Sequence, residues 1–260
     1  MSTFLFKQIV YGPVRSRRLG VSLGINLSPA NGKRCTFDCI YCECGLNKDR
    51  IASLPAPSRE EVRKALVCKL EQLTKKELYP DSLTFSGNGE PTMHPDFVGI
   101  IDDTLALRNR FSPFTKVAVL TNSTMLHKTE VFQTLHRVDE TLMKLDAATD
   151  ELIALIDQPV IHDFTAHKLI EQLTHFDGNL TIQSMFLKGE HHGITIDNTR
   201  EKEVDLWVEA LKKIHPQKVM IYTLKRETPV KSLQKIPLEL LEAIAEKVRK
   251  AGINEIVVSG

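Results

Sequence analysis

Cys35-Thr36-Phe37-Asp38-Cys39-Ile40-Tyr41-Cys42 holds three of the chain's five cysteines within eight residues. A few residues upstream lies the apolar run Val21-Ser22-Leu23-Gly24-Ile25-Asn26-Leu27, which reads as a strand. Three thiolates on one loop after a strand can hold three corners of a metal cluster. Iron–sulfur clusters are normally held by four thiolates, so the motif asks what fills the fourth place. A fourth cysteine, Cys44, also admits a structural zinc on four thiolates. The four cysteines between 35 and 44 do not suggest a disulfide framework. In a reducing compartment such a cluster reads as a metal site. Cys68 reads as a packing residue of a later helix.

Outward from this loop the chain alternates short β-rich runs with helical patterns, the signature of parallel βα units. Pro55-Ala56-Pro57 leads into a capping box at Ser58-Arg59-Glu60-Glu61. Val62, Leu66, Leu70 and Leu73 follow at helical spacing. Strands are expected at 81–85, 116–120, 140–146, 179–187 and 218–224, with helices at about 96–109, 128–137, 163–178, 204–211 and 237–252. Asp163 is the expected cap of the third of these helices, and residues 253–258 form an expected terminal strand. Counted from Gly24, six strands each have a helix after them. Such crossovers are what parallel strands need. The expectation is an α/β fold with ligands at the C-terminal ends of the strands.

Polar motifs do stand at those ends. Gly87-Asn88-Gly89-Glu90 follows the 81–85 strand, baring backbone for a ligand and adding a carboxylate that can accept from an ammonium. Thr121-Asn122-Ser123 follows the next strand, and Lys144-Leu145-Asp146 the one after. Asn122, Lys144 and Asp146 are candidate ligand contacts, though helix caps and turns use the same residue types. Gln183 is the polar candidate on the 179–187 strand. Lys225-Arg226 reads as either an anion contact or solvated charge.

The spacing C-x3-C-x2-C, with Tyr41 before the third cysteine, resembles the cluster loop of the radical S-adenosylmethionine (SAM) superfamily. The resemblance implies a partial (β/α)6, TIM-like barrel of parallel strands. It implies a [4Fe–4S] cluster on Cys35, Cys39 and Cys42, with SAM on the open iron. It implies that Gly87, Asn88, Gly89 and Glu90 form the glycine-rich SAM motif and that Tyr41 lies near the adenine. Asn88 departs from the plain Gly-Gly-Glu pattern. The implied chemistry is reductive cleavage of SAM to a 5′-deoxyadenosyl radical, positioned and shielded by the protein. The N-terminal run from Tyr11 to Asn26, and Tyr222-Thr223-Leu224, resemble a family of radical SAM Fe–S oxidoreductases related to the wyosine-forming tRNA enzymes.

The net charge of +1 argues against a general polyanion binder. Residues 1–50 nevertheless carry eight basic side chains (Lys7, Arg15, Arg17, Arg18, Lys33, Arg34, Lys48, Arg50) against three acidic ones. That asymmetry suits an anionic substrate, such as a tRNA base. Two other functions are open: activation of a glycyl-radical partner protein, and a non-catalytic metal-binding module. No second cysteine set offers an internal electron relay, so an external donor, flavodoxin or ferredoxin, is expected. No signal peptide or membrane span is read, so a cytoplasmic protein is expected. The expected organisation is a single domain over 1–260, with residues 1–20 packed on it as an extension.

Overall fold

The computed structural model describes residues 3–16 and 19–260; Arg17 and Arg18 lie outside the described residues. The elements, in order, are β1 (Val10–Ser16), β2 (Gly20–Ile25), α1 (Arg59–Thr74), β3 (Ser82–Phe85), α2 (Phe97–Phe111), β4 (Lys116–Thr121), α3 (Thr129–Leu135) and β5 (Glu140–Lys144). They continue with α4 (Asp150–Ile156), α5 (Ala166–Thr174), β6 (Thr181–His191), β7 (Ile194–Asp197), α6 (Glu201–Ile214), β8 (Lys218–Thr223), β9 (Gln234–Lys235), α7 (Leu238–Lys250) and β10 (Ile256–Ser259). Among the described residues no helix is long and apolar enough to cross a membrane.

The chain forms two compact units. The first comprises Leu5–Cys35 and Asn47–Thr141. Its strands run in the order β1-β2-β3-β4. β2, β3 and β4 are parallel, with Ile25 beside Phe85 and Phe85 beside Val119. Leu23, Ile25, Leu83, Phe85, Val117 and Val119 are wholly buried. All four residues of β3 are buried, as expected of a strand covered on both faces, where apolar/polar alternation disappears. α1 begins with the expected capping box: Ser58 accepts from the Glu61 amide and Glu61 returns to the Ser58 amide. Its buried stripe is Val62, Leu66, Leu70 and Leu73. Cys68 faces solvent. The packing role expected for it is therefore wrong, because the helical phase that buries residues 66 and 70 turns 68 outward.

β1 had no counterpart among the expected strands. It pairs antiparallel to β2, with a register shift between Tyr11 and Val14. Gly12 and Pro13 sit inside it, and β1 is the outer strand of its unit, where proline removes no needed ladder bond.

The second unit comprises Thr36–Leu46, Leu142–Gly260 and a short N-terminal piece ending at Phe4. Its parallel strands run β5-β6-β8-β10. Phe186 and Trp207 pack edge to face at 5.2 Å. The Trp207 indole donates to the Leu145 carbonyl and the Ser184 hydroxyl, so its own donor is satisfied in this core. β6 outruns its neighbours; its last residues pair antiparallel with β7 and β9. His192 and Gly193, both at positive φ, make the two-residue turn between β6 and β7. Asp163 has φ +58 and does not cap α5. The extended Thr165 does, accepting from the Lys168 amide, since a side-chain cap needs an extended backbone.

Candidate functional site

In the first unit the glycine–glutamate turn is built against the residue before Cys35. The Arg34 amide donates to the Asn88 carbonyl at 2.9 Å, and the Glu90 amide donates to the Arg34 carbonyl at 2.8 Å. Gly89, at φ +142, lets these backbones touch: a Cβ there would stand 1.9 Å from the Arg34 carbonyl oxygen. A Cβ on Gly87, at φ +149, would stand 2.7 Å from the Asn26 side-chain oxygen. Both glycines are thus required by the turn itself. Gly89→Ala is expected to cost about 1–3 kcal/mol or more, from clash and backbone strain, measured by urea unfolding.

Asn88 is wholly buried. Its side chain accepts from the Phe6 amide at 2.8 Å and donates to the carbonyls of Phe6 and Pro29. It braces the turn against residues 6 and 29.

Glu90 is buried and takes four donors. The Thr92 amide and hydroxyl and the Thr121 hydroxyl reach one carboxylate oxygen; the Asn122 amide reaches the other at 2.7 Å. Glu90 therefore ties the end of β3 to the end of β4. The Asn122 side-chain amide in turn points at the Cys35 sulfur, 3.7 Å away, while its oxygen accepts from the Thr124 amide and hydroxyl. Cys35, Asn122 and Glu90 thus form one chain of contacts. Beside them the Ser123 hydroxyl is buried without a partner.

In the second unit the rest of the cysteine loop is pinned to the end of α4. Asp38 and Ile40 donate to the carbonyls of Asp157 and Ile156. That pairing sets the Cys39 thiol 3.2 Å from the Asp157 carboxyl. Lys144, at the end of β5, lies 3.6 Å from Asp157 and 2.9 Å from Asp146. The Tyr41 hydroxyl donates to Asp146 and accepts from Lys144. Asp146 also accepts from the Met185 amide at 2.9 Å. Gln183 pairs in register with Lys144 and donates to the Leu142 carbonyl at 3.3 Å. Cys42 is half-buried, its amide donating to the Cys39 carbonyl. Arg226 is ion-paired with Glu43 and lies over the Phe4 ring, so it is not simply solvated charge.

No disulfide joins any of the five cysteines. Among the described residues no group of three His, Cys, Asp or Glu side chains is spaced to hold a metal ion. The donor chemistry suits an iron–sulfur cluster nonetheless: three soft thiols on one loop, with Cys35 and Cys42 only half-buried.

The model of the Radical SAM superfamily matches residues 32–215. The chain belongs to the radical SAM superfamily. It is also 31% identical to a UPF0026 protein of Helicobacter pylori, over 96% of this chain and 82% of that one. Among solved structures it resembles a radical SAM methyltransferase from Sphaerobacter thermophilus, with TM-score 0.67 and 15% identity over 92% of this chain and 65% of that one. It also resembles TYW1 with a lysine–pyruvate adduct bound, with TM-score 0.65 and 13% identity over 88% of this chain and 73% of that one. The fold is that of the superfamily, α/β with mostly parallel strands in a partial barrel, as the cysteine loop implied. The strands β1, β7 and β9 pair antiparallel.

For a radical SAM enzyme the electrostatics of these residues matter as much as their places. Burial raises the Glu90 carboxyl above its ordinary value, against the pull of its four donors. A raised folded value means a stabilising contribution complete below the unfolded value of about 4.3 and lost as pH rises through the folded one. Glu90→Gln lacks that slope and sets an amide donor against donors. It is expected to be about 1–3 kcal/mol less stable near neutral pH, read from urea curves across pH.

In the second unit, burial and then the Asp146 carboxylate raise Tyr41 well above the ordinary phenol. Burial opposes the Lys144 ammonium, but Asp146, Cys39 and Asp157 outweigh it and hold Lys144 charged. Burial and the nearby Asp146 push Asp157 up to about 8, against the lowering effect of Lys144 and Cys39. Asp157 was not among the expected site residues. It sits at a helix end and not after a strand, so the strand-end rule does not find it.

Proposed function

We propose that this radical SAM enzyme holds a [4Fe–4S] cluster on Cys35, Cys39 and Cys42 and acts on a tRNA base or another anionic small substrate. When bound, the cluster and SAM supply the reductive cleavage that yields a 5′-deoxyadenosyl radical. Gly87, Gly89 and Glu90 form the glycine-rich part of the SAM site. Asn88 holds that turn in place. Asn122, Lys144, Asp146, Gln183 and Tyr41 supply polar contacts at the strand ends.

One observation carries the reading: polar residues picked out at strand ends meet the cysteine thiols. Asn122 donates to Cys35, and Lys144 reaches Cys39 through Asp157. TYW1 was solved with a lysine–pyruvate adduct. In this chain we assign Lys144 the binding of negative charge instead, because its ammonium is held charged beside the buried Asp146 and Asp157 carboxyl groups and is a poor nucleophile. Cysteines that form no disulfide suit a reducing, cytoplasmic setting.

The substrate class is tested with tRNA. The holoenzyme is expected to bind it with an affinity that falls steeply with salt, and to change the mass of one of its nucleosides when SAM and dithionite are present. An unaltered tRNA pool, with SAM cleaved all the same, would exclude tRNA as substrate.

A further inference from the structure

The turn after the cysteine loop carries an apolar patch that the chain leaves exposed. Ile51 is 80% exposed and Leu54 54% exposed. The segment is nonetheless firmly held. Asn31 donates to the Ser53 hydroxyl at 2.6 Å and accepts from the Leu54 amide at 3.2 Å. The Lys33 amide donates to the Arg50 carbonyl at 2.8 Å. Gly32 lies so close to Ala52 that a Cβ would stand 2.4 Å from it. At the other end the Asn47 amide group reaches the carbonyl of Cys35 at 3.5 Å. A groove of about 400 Å³ runs beside the patch, with Leu5 and Leu54 supplying apolar wall and Lys7 and Arg50 supplying charge. Lys48, also exposed, stands two residues before Arg50, with the exposed Asp49 between them.

We propose that this groove docks an acidic one-electron donor protein, a flavin- or iron–sulfur-carrying partner whose negative rim meets Lys7, Lys48 and Arg50 around Ile51 and Leu54. This rests on the radical SAM reading of the cysteine loop. In the step it serves, the donor is oxidised by one electron and the cluster reduced by one, with no covalent bond made or broken. An apolar centre inside a charged rim is the anatomy of a protein interface. Electron-transfer complexes are small and charge-steered, which fits a patch of this size. Single-stranded nucleic acid would call for aromatic stacking platforms, and no aromatic side chain lines this groove. The hydrogen bond from Asn47 to the Cys35 carbonyl ties the segment that carries the patch to a residue of the cluster loop within one compact unit.

The test uses the holoenzyme with flavodoxin as the probe. Lys7→Glu combined with Lys48→Glu, and separately Ile51→Asp, are each expected to weaken flavodoxin binding ~10-fold or more. Cluster reduction by sub-saturating flavodoxin hydroquinone slows in step. Wild-type affinity falls as ionic strength rises, and SAM cleavage driven by dithionite stays at the wild-type rate in every variant. Unchanged flavodoxin affinity in the variants overturns the proposal. So does an equal loss of dithionite-driven cleavage, or loss of tRNA binding with flavodoxin binding intact. If the wild-type protein forms no cluster, it is the underlying reading that fails. If it cleaves SAM with dithionite but its variants bind flavodoxin normally, the docking proposal alone fails.

Discussion

Alanine at Cys35, Cys39 or Cys42 is expected to lower both bound iron and SAM cleavage to background, one substitution at a time. A cluster held by three protein thiolates has none to spare. Cys44→Ala and Cys68→Ala are the internal controls. Cys44 is buried and Cys68 exposed, and neither is assigned to the cluster. Both variants are expected to keep iron and cleavage at wild-type levels, measured by iron and sulfide analysis beside 5′-deoxyadenosine release. Loss of metal in Cys44→Ala would restore the reading of four thiolates around one zinc.

Lys144→Met is expected to destabilise the protein by about 3–5 kcal/mol. Its side chain is 14% exposed and those of Asp146 and Asp157 are 0% and 2% exposed. Removing the ammonium leaves two buried carboxyl groups near each other with no cation. The metal-free protein also reports the state of Asp157 through pH. Its folded value of about 8 lies above the ordinary aspartate value of about 3.9. Its stabilising contribution is therefore complete below about pH 4 and lost as pH rises through the folded value. Asp157→Asn removes that slope, which urea midpoints measured across this range would show.

Much of the framework was legible because it rests on local rules. Buried parallel strands read as short apolar, β-branched runs, as at 116–120 and 218–224. Ser58 and Glu61 announce the start of α1 three residues apart, and the structure closes that box. Glu90 and Asn122 stood out because they follow strands; their contact with each other is tertiary and needed the fold. The misses have physical causes too. Pro13 inside β1 argues against a strand unless the strand is an outer one. The His192-Gly193 turn lacks the Asn-Gly or Asp-Gly pair that marks a two-residue hairpin. Asp163 looked like a cap by residue type, but its left-handed backbone cannot serve as one. Asp157 reaches Cys39 only because residues 38–40 pair with the end of α4, a long-range pairing that no spacing reveals. The grip of the Asn88 side chain on Phe6 and Pro29 is likewise tertiary and has no local signature.

The central claim is that the cysteine loop supports reductive cleavage of SAM. The most direct measurement is 5′-deoxyadenosine formed from SAM by the anaerobically reconstituted protein with dithionite as reductant. The account predicts release of 5′-deoxyadenosine from a brown, iron- and sulfide-containing protein. A colourless protein that holds zinc and releases none would contradict it.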